Sequence, residues 1–183
     1  QQIAFTANDA QKGAANGVYL LDAGGANNSA TQVDIKGFRQ GPLAYPAWVN
    51  ESDLQLTNYH GYKLFRATTS GVFIEALILA DMWSGMGTVS AKDSNMIAYA
   101  GQPANPDGRY NQCNNRIWIQ DGPKKKPELF SDDEQTAIGR GPWFTPCGNY
   151  LGFEAYGTNG VYQVFIKKVQ KPYQTAPVVQ VSA

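Results

Sequence analysis

A four-fold repeat constrains the fold of this chain more than any other feature of its sequence. Each repeat begins with a short segment in which apolar residues alternate with small or polar ones, at 3–6, 54–57, 97–100 and 151–154. A polar turn and a second segment of the same kind follow each time, at 18–22, 63–67, 116–120 and 161–165. The repeats start at Ile3, Leu54, Ile97 and Leu151, so they are 51, 43 and 54 residues apart. This spacing is typical of the blades of a β-propeller.

The local pattern indicates strands throughout. Apolar residues alternate in runs of four to six between Gly, Asn, Asp and Pro, as in strands joined by tight turns, and helical periodicity is nearly absent. The sequence therefore predicts an all-β protein, a small β-propeller of about four blades of antiparallel strands. A repeat that runs from end to end predicts a single domain over 1–183, with repeats near 1–52, 53–94, 95–148 and 149–183.

The amino-acid composition limits which functions and which cellular compartments fit this chain. Fifteen basic and fifteen acidic side chains give a net charge of zero, so no global field attracts nucleic acid or an anionic membrane. No stretch approaches the roughly 20 apolar residues of a membrane-spanning helix. A charged fraction of 16% and 19 glycines favour a periplasmic or secreted β protein. The N-terminus lacks the pattern of a signal peptide, so an exported form would already have lost it.

A third type of segment precedes three of the repeat starts, at 46–52, 87–93 and 141–148. These segments, with the strands that follow, resemble the PD40 (WD40-like) repeats of TolB-like β-propellers. That pattern runs roughly Pro-x-Trp-Ser-Pro-Asp-Gly-x-x-Ile-Ala-Phe and then Ile-Tyr-x-x-Asp-x-x-Gly. The segment 144–153 follows the first half without a gap, and 18–25 matches the second half. The match is degenerate, since Cys147 stands where the family has its turn Asp.

The resemblance implies four-stranded blades with the Trp-containing segment innermost, and a surface used for interaction with other molecules. The chain then starts at the second strand of its first blade. Its last segment, 176–182, is either an outer strand of the fourth blade or the missing inner strand of the first. We expect the second arrangement, in which residues 178–181 pair with the N-terminal strand and close the ring. The first arrangement leaves an unpaired edge that a neighbouring molecule would fill.

Candidate binding residues lie in the longest loop, 102–115, and in the Gly-rich segment around Trp83. Loops of this length are often functional, and planar polar groups beside an aromatic ring suit sugar hydroxyls or a protein partner. The predicted binding set is Trp83, Asn105, Asp107, Arg109, Tyr110 and Asn111. The alternative is an elaborated surface loop. We expect Trp83 to be more exposed than Trp48, Trp118 and Trp143, which the pattern places in strands.

Catalytic and metal-ligating patterns are weak. His60 is the only histidine, and it falls in a predicted turn. The acidic run 132–134 is either a Ca²⁺ site or a solvated connector. Cys113 and Cys147 fall at opposite ends of strands, so we expect them not to be joined.

No catalytic residue, metal site or cofactor is assigned, and a hydrolase or lyase is the minor alternative. The sequence predicts a non-enzymatic, exported binding or scaffold module that presents its loops to a protein or glycan partner. A lectin and a self-assembling subunit, a homo-oligomer through its terminal strands, are the alternatives.

Overall fold

The computed structural model describes residues 2–7, 17–24, 30–36, 42–58, 63–105, 107, 110–131, 138–156 and 160–181. Apart from two short 3-10 turns, Gln112–Asn114 and Tyr173–Thr175, the regular structure in these ranges consists of β-strands. Within the same ranges no helix has the length and apolar character needed to cross a bilayer.

The strands form four antiparallel sheets, each built from consecutive strands. The first contains β1 (Gln2–Ala7), β2 (Gly17–Asp22) and β3 (Thr31–Gln32). The second contains β4 (Leu43–Trp48), β5 (Asp53–Asn58), β6 (Lys63–Thr68) and β7 (Phe73–Ala76). The third contains β8 (Met82–Val89), β9 (Met96–Pro103), β10 (Arg116–Asp121) and β11 (Glu128–Leu129). The fourth contains β12 (Arg140–Phe144), β13 (Tyr150–Tyr156), β14 (Tyr162–Lys168) and β15 (Val178–Gln180).

These sheets are the blades of a four-bladed propeller arrangement, which confirms the predicted fold class. The two strand segments of every repeat become the paired central strands of a blade: β1 with β2, β5 with β6, β9 with β10, and β13 with β14. The Trp-type segments become the inner strands β4, β8 and β12. Successive blades pack through these strands, β1 on β4, β4 on β8 and β8 on β12.

The hydrophobic core lies between blades, because alternate residues of each strand face opposite neighbours. Ile97 and Tyr99 of β9 pack in the cluster shared with the second blade. Ala98 and Ala100 pack in the cluster shared with the fourth. A third cluster joins the first and second blades around Leu54, which is fully buried. Each buried Leu, Ile or Phe side chain contributes about 1.5–3 kcal/mol, so the blades stabilise one another.

The expected closure of the ring by the C-terminal strand is wrong. Residues 178–180 form β15, which pairs with β14 as the outer strand of the fourth blade. The first blade keeps three strands in the order β1, β2, β3, so in the described part of the chain β1 is an edge strand. β15 pairs with β14 because the two strands are consecutive, and an antiparallel pair can be joined by a short connection.

All three inner strands contain the same irregularity. Their pairing with the next strand shifts between Ala44 and Ala47, between Gly85 and Thr88, and between Arg140 and Trp143. Each bulge holds one residue with a left-handed backbone: Tyr45 (φ 51°), Met86 (φ 50°) and Gly141 (φ 53°). A Pro or Gly follows each of these residues, and both residue types are common where a bulge interrupts the hydrogen bonds between two strands. Bulges of this kind bend the strand that carries them.

Candidate functional site

A cavity of about 370 Å³ opens between the inner strands of the second, third and fourth blades. We call it the axial cavity. Its lining residues, from all three blades and their connections, are Tyr45, Thr57, Gly85, Met86, Ala100, Tyr110, Asn111, Asn115, Ile138, Gly139, Arg140 and Tyr162. The volume lies within the range of about 300–1,000 Å³ found for ligand pockets.

Arg140 is the charged group of the axial cavity. It is the first residue of β12, directly opposite Glu154 on β13, and its Nε donates to Glu154 Oε2 at 2.7 Å. Its guanidinium carbon lies 3.5 Å from the centre of the Tyr162 ring. The ion pair and the ring hold the guanidinium in one place. Because the side chains of Arg140 and Glu154 are each 42% exposed, the pair contributes little to stability and stays accessible to a ligand.

Two buried polar side chains in the lining of the axial cavity carry unpaired atoms. Thr57 is 1% exposed and Asn115 is 6% exposed. Neither Thr57 Oγ1 nor Asn115 Oδ1 has a hydrogen-bond partner among the described residues. The Asn115 amide nitrogen donates to the Tyr110 hydroxyl, which orients the amide. An unpaired buried oxygen costs about 1–3 kcal/mol, so both side chains are held here at a cost in stability.

The backbone around the axial cavity is held in costly conformations. Tyr45 and Met86, at the bulges, and Ile138 (φ 62°), ahead of β12, are all left-handed although none is glycine. For L-residues this conformation costs roughly 1–2 kcal/mol each, and a β-branched residue such as Ile adopts it rarely. Strain of this kind concentrates at ligand-binding sites, because there the local geometry serves recognition.

The structure brings three of the predicted binding residues together. The Trp83 and Tyr110 rings meet edge to face with centres 5.9 Å apart, and Tyr110 and Asn111 line the axial cavity. With its amide turned over so that the nitrogen faces the Asn111 carbonyl, Gln102 donates to that carbonyl at 2.9 Å and accepts from the Asn111 N–H at 3.0 Å. The Asn111 side chain accepts from the N–H of Cys113, which fixes the start of the 3-10 turn. The loop is therefore anchored at the mouth of the cavity.

The other predicted residues are placed differently. Asn105 is half-buried and Asp107 is exposed, and neither lines the axial cavity. Arg109 lies outside the described residues. The binding role of all six stays a prediction.

The predicted ranking of tryptophan exposure is wrong. Trp83 lies in β8 and is half-buried, as are Trp48 and Trp118, whereas Trp143 is 41% exposed. The Gly-rich segment around Trp83 forms an inner strand because it pairs with β9 from Met82 to Val89. Trp143 is exposed because it lies on the outer face of the fourth blade, across Gly152. Asn115, at the end of the long loop, is buried.

Sequence reasoning missed Thr57, Asn115 and Arg140 as cavity residues. The sequence did offer one indication of Arg140, because this residue comes directly before the third Trp-containing segment, which begins at Gly141. Thr57 ends the first strand segment of the second repeat, and Ala100 holds the same position in the third. Both line the cavity, which shows that this repeat position faces the axis.

The remaining candidate groups do not form a site. His60 and the acidic run 132–134 lie outside the described residues. In the described ranges no three His, Cys, Asp or Glu side chains converge to hold a metal ion. Cys113 and Cys147 are free thiols, and both are exposed.

Comparison with solved structures identifies the architecture. TolB from Acinetobacter baumannii superposes with a TM-score of 0.67 and 10% sequence identity, over 99% of this chain and 40% of that chain. A putative TolB from Agrobacterium tumefaciens superposes with a TM-score of 0.69 and 13% identity, over 98% of this chain and 60% of that chain. The chain has a TolB-like β-propeller fold.

The resemblance read from the PD40-like segments is therefore confirmed at the level of the fold. No protein-family model matches the chain, and none of the curated proteins matches it in sequence. The TolB-like propeller described here spans 40% and 60% of the two TolB structures that it matches. At this level of identity the similarity establishes the architecture, and the chemistry has to be argued from the axial cavity itself.

Proposed function

We propose that this chain is a non-catalytic protein-binding module that receives an extended segment of a partner protein in the axial cavity. The observation that carries the proposal is the cavity itself, in which Arg140 is the charged group among lining residues from three blades. The TolB-like fold supports a protein partner, since propellers of this kind are interaction platforms.

An extended peptide fits this chemistry. Its carbonyls or an acidic side chain accept from Arg140. The tyrosines at 45, 110 and 162 add apolar area with a polar edge, which favours peptide contacts. The described residues bring no nucleophile and general base together in the cavity, so we propose binding without chemistry.

A phage-displayed library of random linear peptides tests the proposal. We expect wild-type protein to enrich peptides that Arg140→Gln binds at least about ten-fold more weakly, a loss of roughly 1.4 kcal/mol. Lys171→Gln is the matched control, because Lys171 is also an exposed, ion-paired cation but does not line the cavity. Peptides that bind wild type and Arg140→Gln equally, or no enrichment, contradict the proposal.

A glycan is the second candidate ligand, favoured by the contact between Trp83 and Tyr110 beside Asn111. An aromatic pair next to an amide suits a sugar ring and its hydroxyls. On a glycan array we expect Trp83→Ala to abolish any signal and Arg140→Gln to leave it unchanged. A ligand whose binding is lost in Trp83→Ala and kept in Arg140→Gln is a glycan, and a ligand with the reverse pattern is a peptide.

We also propose that the protein acts in the periplasm or outside the cell. The low charged fraction and the TolB-like fold support this location. Fractionation of cells that express the natural gene tests it, and recovery of the protein in the cytosolic fraction alone contradicts it.

A further inference from the structure

The three contacts between successive blades can be compared position by position, because the repeats share one register. In the strand that opens each repeat, alternate residues face the following blade. Ala4 packs against the cluster shared by the first two blades, and Ala98 lies in the cluster shared by the last two. The residues that face the following blade at the second and fourth repeat positions are Ala4 and Thr6 in β1, Gln55 and Thr57 in β5, and Ala98 and Ala100 in β9.

The contact between the first two blades and the contact between the last two leave no unpaired polar atom at these positions. Ala98 and Ala100 are apolar and buried. Thr6 Oγ1 accepts a hydrogen bond at 2.9 Å from the N–H of Tyr45, the bulge residue of β4. Polar atoms at these positions are therefore either paired across the contact or not present in the side chain.

The contact of β5 with β8, between the second and third blades, is different, and we call it the inner seam. Gln55 is 0% exposed and Thr57 is 1% exposed, yet neither amide atom of Gln55 nor Thr57 Oγ1 has a hydrogen-bond partner among the described residues. Ser84 Oγ of β8 is buried and unpaired in the same way. Ser84 faces the second blade, because Met82, two residues earlier, lies in the cluster that these blades share.

Gln55 fits at the inner seam only because the facing residue is a glycine. The residue after the bulge residue is Pro46 in β4 and Pro142 in β12, but Gly87 in β8. A Cβ at residue 87 would collide with the amide nitrogen of Gln55. A long polar side chain thus fills a place that Ala98 fills in the next blade, and its amide is buried at a cost in free energy that contact with water would remove.

The outer half of the same contact has the opposite character. Leu64, Leu77 and Ile97 are fully buried there in one apolar cluster. The Gln120 amide nitrogen of the third blade donates to the Leu77 carbonyl of the second at 2.8 Å. The two blades are therefore held together firmly at their outer strands and weakly at the inner seam.

We propose that the inner seam opens about this outer half and acts as a gate to the axial cavity. Thr57 lines the cavity on one side of the seam, and Gly85 and Met86 line it on the other, so parting β5 from β8 widens the cavity. Each blade keeps its own strand pairing, and the unpaired side chains of the seam gain water as partners. The opening is argued from the seam alone, whereas its role as a gate rests on the proposed function.

The reactivity of buried thiols measures the opening. In a Cys113→Ser, Cys147→Ser background, which removes the two exposed thiols, Ser84→Cys places a thiol at the inner seam. Ala98→Cys places one between the third and fourth blades, at the repeat position of Gln55. Both positions are 0% exposed, so iodoacetamide reaches them only when the contact opens. We expect Ser84→Cys to react at least about ten-fold faster than Ala98→Cys, at a rate that low concentrations of urea hardly change.

Removing the unpaired amide should close the seam. Gln55→Met keeps the length of the side chain, and it should slow the labelling of Ser84→Cys at least about ten-fold. Gln32→Met is the matched control, because it makes the same change on the exposed strand β3, and it should leave the rate unchanged. Thr57→Cys and Ala100→Cys form a second matched pair that serves if Ser84→Cys does not fold, since both positions line the axial cavity.

The possible results separate this inference from the proposed function. Equal labelling of Ser84→Cys and Ala98→Cys, or a rate that Gln55→Met does not change, overturns the opening and leaves peptide binding untouched. Peptides selected from the linear library should associate at least about ten-fold more slowly with Gln55→Met, and an unchanged association rate overturns the gate. A library that yields no peptide contradicts the proposed function, while fast labelling of Ser84→Cys still supports the opening.

Discussion

At the scale of the residue, the buried hydroxyl of Tyr99 affects both the stability of the protein and its dependence on pH. Its side chain is fully buried between the second and third blades, and its hydroxyl has no partner among the described residues. Burial, with a smaller contribution from the Asp81 carboxylate, raises the pKa of Tyr99. Tyr173 is also buried, but its hydroxyl donates to Asp121 Oδ1 at 3.3 Å.

The two tyrosines should therefore respond oppositely to loss of the hydroxyl. We expect Tyr99→Phe to leave the free energy of unfolding unchanged or raise it by about 1 kcal/mol, because an unpaired buried polar group is removed. Tyr173→Phe should lower it by about 1 kcal/mol, because a hydrogen bond is lost. Urea denaturation measures both. A Tyr99→Phe variant less stable by more than 1 kcal/mol would show that the hydroxyl has a partner.

Stability should fall in alkali. Burial and the Asp121 charge raise the pKa of Tyr173 to about 12, above its unfolded value of about 10, and Tyr99 is raised in the same direction. Above pH 10 or so the folded state thus holds more protons than the unfolded state, so the free energy of unfolding decreases as pH rises. Hydrogen bonds to Asp121 and Glu128 raise the pKa of Lys171, which adds to the same loss.

Denaturation curves between about pH 8 and pH 12 check the sign. Tyr99→Phe should flatten the alkaline decrease, because it removes one of the groups that titrate. A free energy of unfolding that is constant across this window contradicts the assignment.

At the scale of the element, the inner strands carry the features that shape the axial cavity. The bulge in β12 lies between Arg140, which lines the axial cavity, and Trp143, whose indole lies across Gly152 of β13. A Cβ at residue 152 would lie 2.3 Å from Cε2 and Cζ2 of Trp143. The indole therefore rests on the backbone of β13.

The contact between the Trp143 indole and residue 152 predicts that substitutions at these two positions have non-additive effects on the free energy of unfolding. Gly152→Ala should destabilise the protein by about 1–3 kcal/mol, because the indole is displaced. Trp143→Ala should cost about 2 kcal/mol, less than the 3–5 kcal/mol of a fully buried tryptophan. In the Trp143→Ala background, Gly152→Ala should cost almost nothing, since the clash has gone.

Gly24→Ala is the control for adding a methyl group, because nothing lies within 4 Å of the Cβ it would add. Its free energy of unfolding should change by less than about 0.5 kcal/mol. Additive effects of Gly152→Ala and Trp143→Ala would show that the indole does not rest on residue 152.

At the scale of the whole molecule, stability should be graded along the chain. The third blade is flanked on both sides, and its strand β9 is buried from Ile97 to Gln102. The first blade has three strands in the described residues, and its hydrophobic cluster is shared with the second blade. Local opening should therefore be easiest at β1.

Hydrogen exchange measures this gradient. We expect the amides of β1 to exchange fastest among the long strands and those of β9 slowest. Equal protection of β1 and β9 would contradict a stability that depends on flanking blades.

Much of the fold was accessible from the sequence. The central strands of each blade follow from local alternation and turn residues, so the predicted segments at 54–57 and 97–100 reappear within β5 and β9. Part of the candidate site was also accessible, since Tyr110 and Asn111 stand out in a long polar loop. Arg140 and Thr57 could not be predicted as cavity residues, because a residue becomes part of a cavity only when other blades place their own residues opposite it.

The sequence by itself determined the strands, their order and the repeated faces, because side-chain alternation and turn chemistry act over a few residues. Only the tertiary structure decided which strand β15 joins. Val178–Gln180 has an alternation that suits either the first or the fourth blade, and the short connection from β14 selects the fourth. The exposure of Trp143 was likewise decided in three dimensions. Trp143 is 41% exposed, whereas Trp48 and Trp83 in the other inner strands are half-buried, and the sequence of the three segments does not distinguish these cases.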